Sequence, residues 1–393
     1  MMTYGEYPKE AATTDSDVES PTVRNVSDDY FVLDAVTHAF NVERDNFSDI
    51  EGAAAMAEMA ANFASGAAAP AYQIDKDKWL RNWSVDELAN ILFRESRTDV
   101  AAYHPLPIYS FKDGLSSLEK SLEALQKYPT RFIGGYACID PMRGKEALVE
   151  LERQVELYAP YGGPLGLKMY PASWHDGNIG HWKMNDPKIA YPVLEKAAEL
   201  GIGHVAVHKS IPIEPIEFGD TFNPADLEGA AVHFPEINFE IVHGGVAFVE
   251  ETSMLLARFP NVHVNMENLN MVVARRPRVF AEILLGLMHD GGMPVMKKLF
   301  WGTGTTQYHP RPCVEAMASF EFPEELLERY GLYMPIQQIT QDDKQGLFAD
   351  NYARLHGLDL DAIKAGIKDD EFSDVVELDA PWSNARDLTV AAV

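Results

Sequence analysis

The chain has 393 residues, with 60 acidic against 33 basic side chains and a formal net charge of −27. A negative field of that size repels phosphate backbones and anionic membrane surfaces, which excludes a general nucleic-acid-binding role. Apolar residues make up 46% of the chain, enough for a sizeable core. The two cysteines, Cys138 and Cys313, cannot form a disulfide framework and point to a reducing compartment. No window approaches the roughly 18 to 20 apolar residues of a membrane helix, and the first residues lack the basic and apolar runs of a secretory leader. The expectation is a soluble, cytoplasmic protein that binds neither nucleic acid nor membrane.

Residues 1–29 are polar and acidic without apolar period, and read as a disordered or loosely docked arm. From Tyr30 onward, short β-branched and aromatic runs recur, with amphipathic stretches between most of them. Eight strands are expected, at 31–38, 98–104, 131–140, 164–170, 203–209, 238–244, 262–267 and 297–302. Helical spacing with Gly or Pro stops separates them, and a last helix begins near Asp342. Strands alternating with helices imply right-handed βαβ units, and eight in one chain favour a closed (β/α)8 TIM barrel. Residues 41–97 exceed an ordinary βα connection and read as a helical insertion between strands one and two. Residues 358–393 form a C-terminal extension to a barrel that otherwise occupies residue 30 onward.

Placement makes the histidines informative. His38, His104, His208 and His243 fall at or near the C-terminal ends of strands, which in a barrel converge on one mouth. Imidazole is a common transition-metal ligand, so a metal site among these four histidines is expected. His204, His233, His263 and His289 sit at strand starts or on helices and read as structural. Glu267, at the end of strand seven, faces the mouth either as a ligand or acid/base group, or as a structural carboxylate. Glu95 precedes strand two and is a candidate additional ligand or ligand-supporting carboxylate, with a helix-end or surface residue as the simpler reading. Lys168 ends strand four and reads as the neutraliser of a substrate carboxylate, with a carboxylated metal bridge and a buried ion pair as alternatives. His309, in Tyr308-His309-Pro310 after strand eight, is conjectured to act as a catalytic imidazole. Cys138 reads as a packed residue. Phosphate-loop, dinucleotide and serine-elbow motifs are absent.

Several motifs in order resemble the amidohydrolase-related TIM barrels, the branch that includes aminocarboxymuconate-semialdehyde decarboxylase. They are Asp34-Ala35-Val36-Thr37-His38, Gly166-Leu167-Lys168-Met169-Tyr170-Pro171, Val207-His208-Lys209, His243-Gly244-Gly245, Trp301-Gly302-Thr303-Gly304-Thr305 and the helix 351–357. The resemblance implies a divalent site, with Fe, Mn or Zn as the candidate ion. Two positions depart from it: the first strand-one histidine is Val36, and the strand-eight aspartate is Gly304. The ligands that the resemblance then implies are His38, His208 and His243, with His104, Glu267 or His309 available as a fourth, between which the sequence does not choose. The stretches 95–107, 167–177 and 206–210 are similar to those of isobutylamine N-hydroxylase-type subunits. That likeness implies a metal-binding subunit of a non-haem Fe/Mn oxygenase, working with a second, related barrel or as a homo-oligomer on a small molecule. A stand-alone metal-dependent hydrolase or decarboxylase and a scaffolding pseudoenzyme are the alternatives.

Overall fold

The computed structural model describes residues 29–373, apart from 49, 68–69, 97, 176, 214–215 and 217–218, together with 381–382. The acidic arm, except Asp29, lies outside the described residues, as do 374–380 and 383–393 of the C-terminal extension. Eight parallel strands form one sheet in chain order: β1 (Leu33–Thr37), β2 (Val100–Tyr103), β3 (Phe132–Cys138), β4 (Gly166–Met169), β5 (His204–His208), β6 (Asn238–Val242), β7 (Val262–Asn265) and β8 (Leu299–Phe300). Each falls inside the run that the sequence marks. The sheet closes on itself where Ala35 N donates to Trp301 O at 2.9 Å and Gly304 N to Val36 O at 2.9 Å. An isolated parallel bridge joins Thr37 to Thr305 at the same seam. The fold is a (β/α)8 barrel.

Side chains alternate across each strand, and the alternation sorts the core. Val205, Val207, Phe239, Ile241, Val262 and Val264 pack outward in one cluster with the flanking helices. Val36, Ala206, Val242 and Phe300 belong to a separate, smaller cluster with Tyr136 and Tyr352. The interior also carries polar groups: His204 Nε2 meets Glu240 Oε2 at 2.7 Å, and Asn265 Nδ2 donates to Glu240 Oε1 at 2.7 Å. Close packing of helices on β3 leaves no room at Gly135, where a Cβ would stand 2.8 Å from the Tyr158 ring. Gly135→Ala is therefore expected to lower the unfolding free energy by about 1–3 kcal/mol in urea denaturation.

Between β1 and β2 lie a helix over Ala53–Asn62, a π-helical turn over Phe63–Ala67, and a capped segment from Val85 to Glu95. An antiparallel hairpin, Ala172–His175 with Asn178–His181, follows β4 and was not expected from the sequence. Its run is too short to register as a periodic strand pair. The closing helical segment runs from Gln341 to His356 and stops on Gly357 in the left-handed region, φ 63°. No helix among the described residues is long and apolar enough to cross a membrane.

Candidate functional site

Inward parity carries His208 and Glu267 to the mouth, in step with Ala206 on β5 and Asn265 on β7. His243 arrives differently. Along β6 its parity points outward, but its φ of 76° turns the chain over and brings the ring inward. Ser210 and Asn268, just after β5 and β7, also have positive φ, 71° and 66°. Non-glycine residues held there carry backbone strain, which clusters at functional sites. Three of the four such residues among those described ring this mouth.

The floor is one hydrogen-bonded set. His208 Nε2 donates to Ile211 O at 2.8 Å, which leaves Nδ1 as the acceptor from His243 Nε2 at 2.7 Å. On its other side, His243 Nδ1 lies 3.0 Å from Glu267 Oε2 and 2.8 Å from Asn268 Nδ2. Tyr308 Oη donates to Asn268 Oδ1 at 3.1 Å and fixes the amide's orientation. His38 Nδ1 donates to His104 O at 2.7 Å, and its Nε2 faces the cavity without a hydrogen bond among the described residues. Burial alone would raise the Glu267 carboxyl, but the charge and hydrogen bond of His243, then His38 and Lys168, hold it at about 2. Burial lowers His38 to about 4 and drives His208 well below the ordinary imidazole range.

Lys168 is almost fully buried and does not line the cavity. Its Nζ stands 5.3 Å from the centre of the Tyr170 ring, and that ring stacks on His208 at 4.7 Å. Burial lowers its pKa to about 8, against the pull of Glu267 and Glu240. Its influence on the mouth is thus a field from below rather than a contact. His104 likewise points into the barrel interior, its ring tilted against Tyr136 with centres 3.7 Å apart, and neither ring nitrogen has a partner among the described residues. Its carbonyl orients His38, and its imidazole does not line the cavity.

His309 and Glu95 leave the site altogether. His309 Nε2 meets Glu95 Oε2 at 2.9 Å, and Trp382 N donates to the same oxygen at 2.8 Å. The His309 ring packs against Tyr72 and Trp382, at 4.9 and 5.3 Å. The helix that starts at Arg311 turns this imidazole toward the β1–β2 connection, so the expected catalytic histidine is part of a clamp on the C-terminal segment. Asn268 and Tyr308 are site residues that the sequence reading did not assign. Their signal was adjacency, Asn268 to Glu267 and Tyr308 to His309.

Above the floor opens a cavity of about 260 Å³. Its walls are apolar, with Phe40, Leu106, Ile108 and Ile213, and its roof is Met56, Met59 and Phe63 from the long β1–β2 connection. One polar end and an apolar body is the arrangement of a small-molecule site.

The profile of a family described as Amidohydrolase matches residues 117–282. No curated protein matches the chain in sequence. Among solved structures, an uncharacterised TIM-barrel protein from Bordetella bronchiseptica is similar at 14% identity and TM-score 0.55, over 83% of this chain and 98% of that one. The 5-carboxyvanillate decarboxylase from Novosphingobium aromaticivorans, solved with bound manganese, is similar at 14% identity and TM-score 0.52. That match covers 84% of this chain and 97% of the other. The 5-carboxyvanillate decarboxylase from Sphingomonas paucimobilis is 13% identical at TM-score 0.52, over 84% of this chain and 100% of its own. The chain shares the TIM-barrel fold of these structures, and its residues 117–282 match the Amidohydrolase profile.

The residues at this mouth do not fit a metal of the kind that the manganese-bound neighbour carries. A transition ion needs three or more free donors aimed at one point. Here both nitrogens of His208 and both of His243 are engaged within the protein. Val36 offers no donor, and a Cβ at Gly304 would fall on Glu267 Oε1, with Cγ and Cδ 3.0 Å away. Among the described residues no group of three His, Cys, Asp or Glu is placed to hold an ion. The expected ligands His38, His208 and His243 share one mouth, but the latter two are spent on each other.

Proposed function

We propose that this barrel binds a small, largely apolar carboxylic acid at its mouth and acts on it by proton transfer, as a decarboxylase or hydrolase. The observation that supports this reading is the apolar cavity ending on His38, His208, His243 and Glu267. Neighbours on the same fold, at TM-scores of 0.52 and 0.50, are decarboxylases of 5-carboxyvanillate and 2,6-dihydroxybenzoate. The Met56, Met59 and Phe63 roof accepts an aromatic or branched body, methionine adapting to irregular shapes. Lys168, below the floor, favours an anionic head at the polar end. In a decarboxylation the substrate's carbon receives a proton as CO2 departs, and the imidazole set of the floor is the source.

Hydroxylated aromatic carboxylic acids should release CO2 with the wild-type chain. His243→Ala should lower kcat/KM by about 10² to 10⁴-fold, the usual worth of a general acid. Wild-type protein that neither decarboxylates nor hydrolyses any member of the panel would overturn the proposal. A second reading, the supporting barrel of a two-barrel amine N-oxygenase, is favoured by Val36 and Gly304 at the two depleted positions. It predicts oxygen uptake only when a related barrel is added.

A further inference from the structure

The outer wall of the barrel carries a second apolar feature, apart from the mouth. Val279, Ile283 and Gly286 recur at helical spacing along Pro277–Leu287. With Val249 and Met254 of the helix Val249–Arg258 they line a groove of about 630 Å³, which shares no lining residue with the mouth. The turn 330–335 forms one side of this groove, through Tyr330 and Leu332. Gly331 N donates to His289 Nδ1 at 3.2 Å and Leu332 N to His289 O at 2.8 Å, so the turn is pinned. At its tip Tyr333 is 78% exposed, between Leu332 at 56% and Met334 at 49%. Met254 and Val279 are exposed as well, so five of the eleven large apolar side chains exposed among the described residues gather on this face. Single exposed apolar residues are ordinary, but a contiguous set marks a contact surface.

The face is complementary to itself. It presents a projecting aromatic ring and an apolar groove side by side, as a two-fold contact requires, each copy giving the knob and receiving it. Its charges match in the same way. Arg329, Glu250 and Asp290 line the groove, and none of the three has an ion-pair partner among the described residues. Two chains of net charge −27 repel each other, so their contact needs a face with such a compensating cation. We infer that this face joins two copies of the chain about a two-fold axis, with the Tyr333 ring of each seated in the groove of the other. Aromatic residues, methionine and arginine are the types enriched in such contacts. A turn pinned in advance also lowers the entropy cost of docking. Because groove and mouth share no residue, the interface stands whether or not the small-acid reading does.

Sedimentation equilibrium of the full chain tests the interface, and wild type should have twice the chain mass. Tyr333→Asp removes the knob and Met254→Arg fills the groove. Each should weaken dimerisation about 10²-fold or more, since a two-fold contact loses the side chain twice. Both positions are exposed, so the circular dichroism of the variants should match that of wild type. The decisive sample is an equal mixture of the two variants. The first keeps its groove and the second its knob, so one contact survives and the other sets Asp against Arg. The mixture should therefore associate more tightly than either variant alone, which mere loss of a structural feature would not produce. A monomeric wild type, a dimer that withstands both substitutions, or a mixture no tighter than its components would overturn the inference. Pairing with a related barrel but not with a second copy would overturn it as well. Should Met254→Arg fail to fold, Val279→Arg takes its place in the mixture under the same criteria.

Discussion

Lys168→Met should make the barrel more stable at neutral pH, by about 2 to 3 kcal/mol in urea unfolding. The ammonium is buried without a hydrogen-bond acceptor among the described residues, and its pKa is held at about 8 against 10.5 in an open chain. Each pKa unit corresponds to about 1.4 kcal/mol of difference between the states. Wild-type stability therefore rises as pH climbs from 8 past 10.5, and is lost again as pH falls through 8. At pH 7 the full penalty is present, and a methionine of similar shape removes it. The unfolding free energies of the two proteins should differ most at pH 7 and draw together as pH rises toward 10.5. A variant less stable than wild type at pH 7 would mean that the charge is required opposite Glu267 and Glu240. A stabilising substitution that impairs turnover would place Lys168 among residues kept for function at a structural cost.

Glu95→Ala should have the reverse effect, a loss of about 3 to 5 kcal/mol, the usual result of removing one partner of a buried ion pair. His309 and the Trp382 backbone amide both rely on that carboxylate, and both side chains of the pair are 1% exposed. Glu95→Gln keeps an acceptor and should cost less. Limited proteolysis should cut the alanine variant faster near residue 382. Unchanged stability with lost turnover would return the pair to catalysis.

The legible and illegible parts of this molecule divide along local and non-local physics. Strand alternation is local, so β5 could be read with His208 inward, and β7 with Glu267 on the same face as Asn265. The β-branched and aromatic runs also located all eight strands. Alternation alone would point His243 outward, and its inward turn depends on a φ of 76° that no periodicity encodes. Placement after β8 misled at His309, which is claimed by a carboxylate 214 positions earlier. Lys168 has the expected place at the end of β4, yet it is buried and does not line the cavity where a substrate carboxylate would sit. A list of ligand-type residues at strand ends cannot tell a metal set from a hydrogen-bonded one. That distinction lies in which nitrogen each neighbour occupies, and Ile211 O and Asn268 decide it here.

The seam that closes the barrel bears on how the molecule breathes. β8 has two residues, and β1 is joined there mainly by backbone bonds from the loop beyond it, at Trp301, Gly304 and Thr305. Asp34 reinforces the join by accepting from Thr303 N at 2.9 Å. A short ladder opens more cheaply than the long one between β5 and β6, so amide exchange at Ala35, His38 and Gly304 should be fastest among the strand positions. Of these, His38 lines the cavity and Gly304 packs against the Glu267 carboxylate at its floor. Thermal opening of the cylinder and exposure of its reactive end to water are thus one motion. A ligand seated against His38 would slow exchange around the whole seam, including backbone that it never touches.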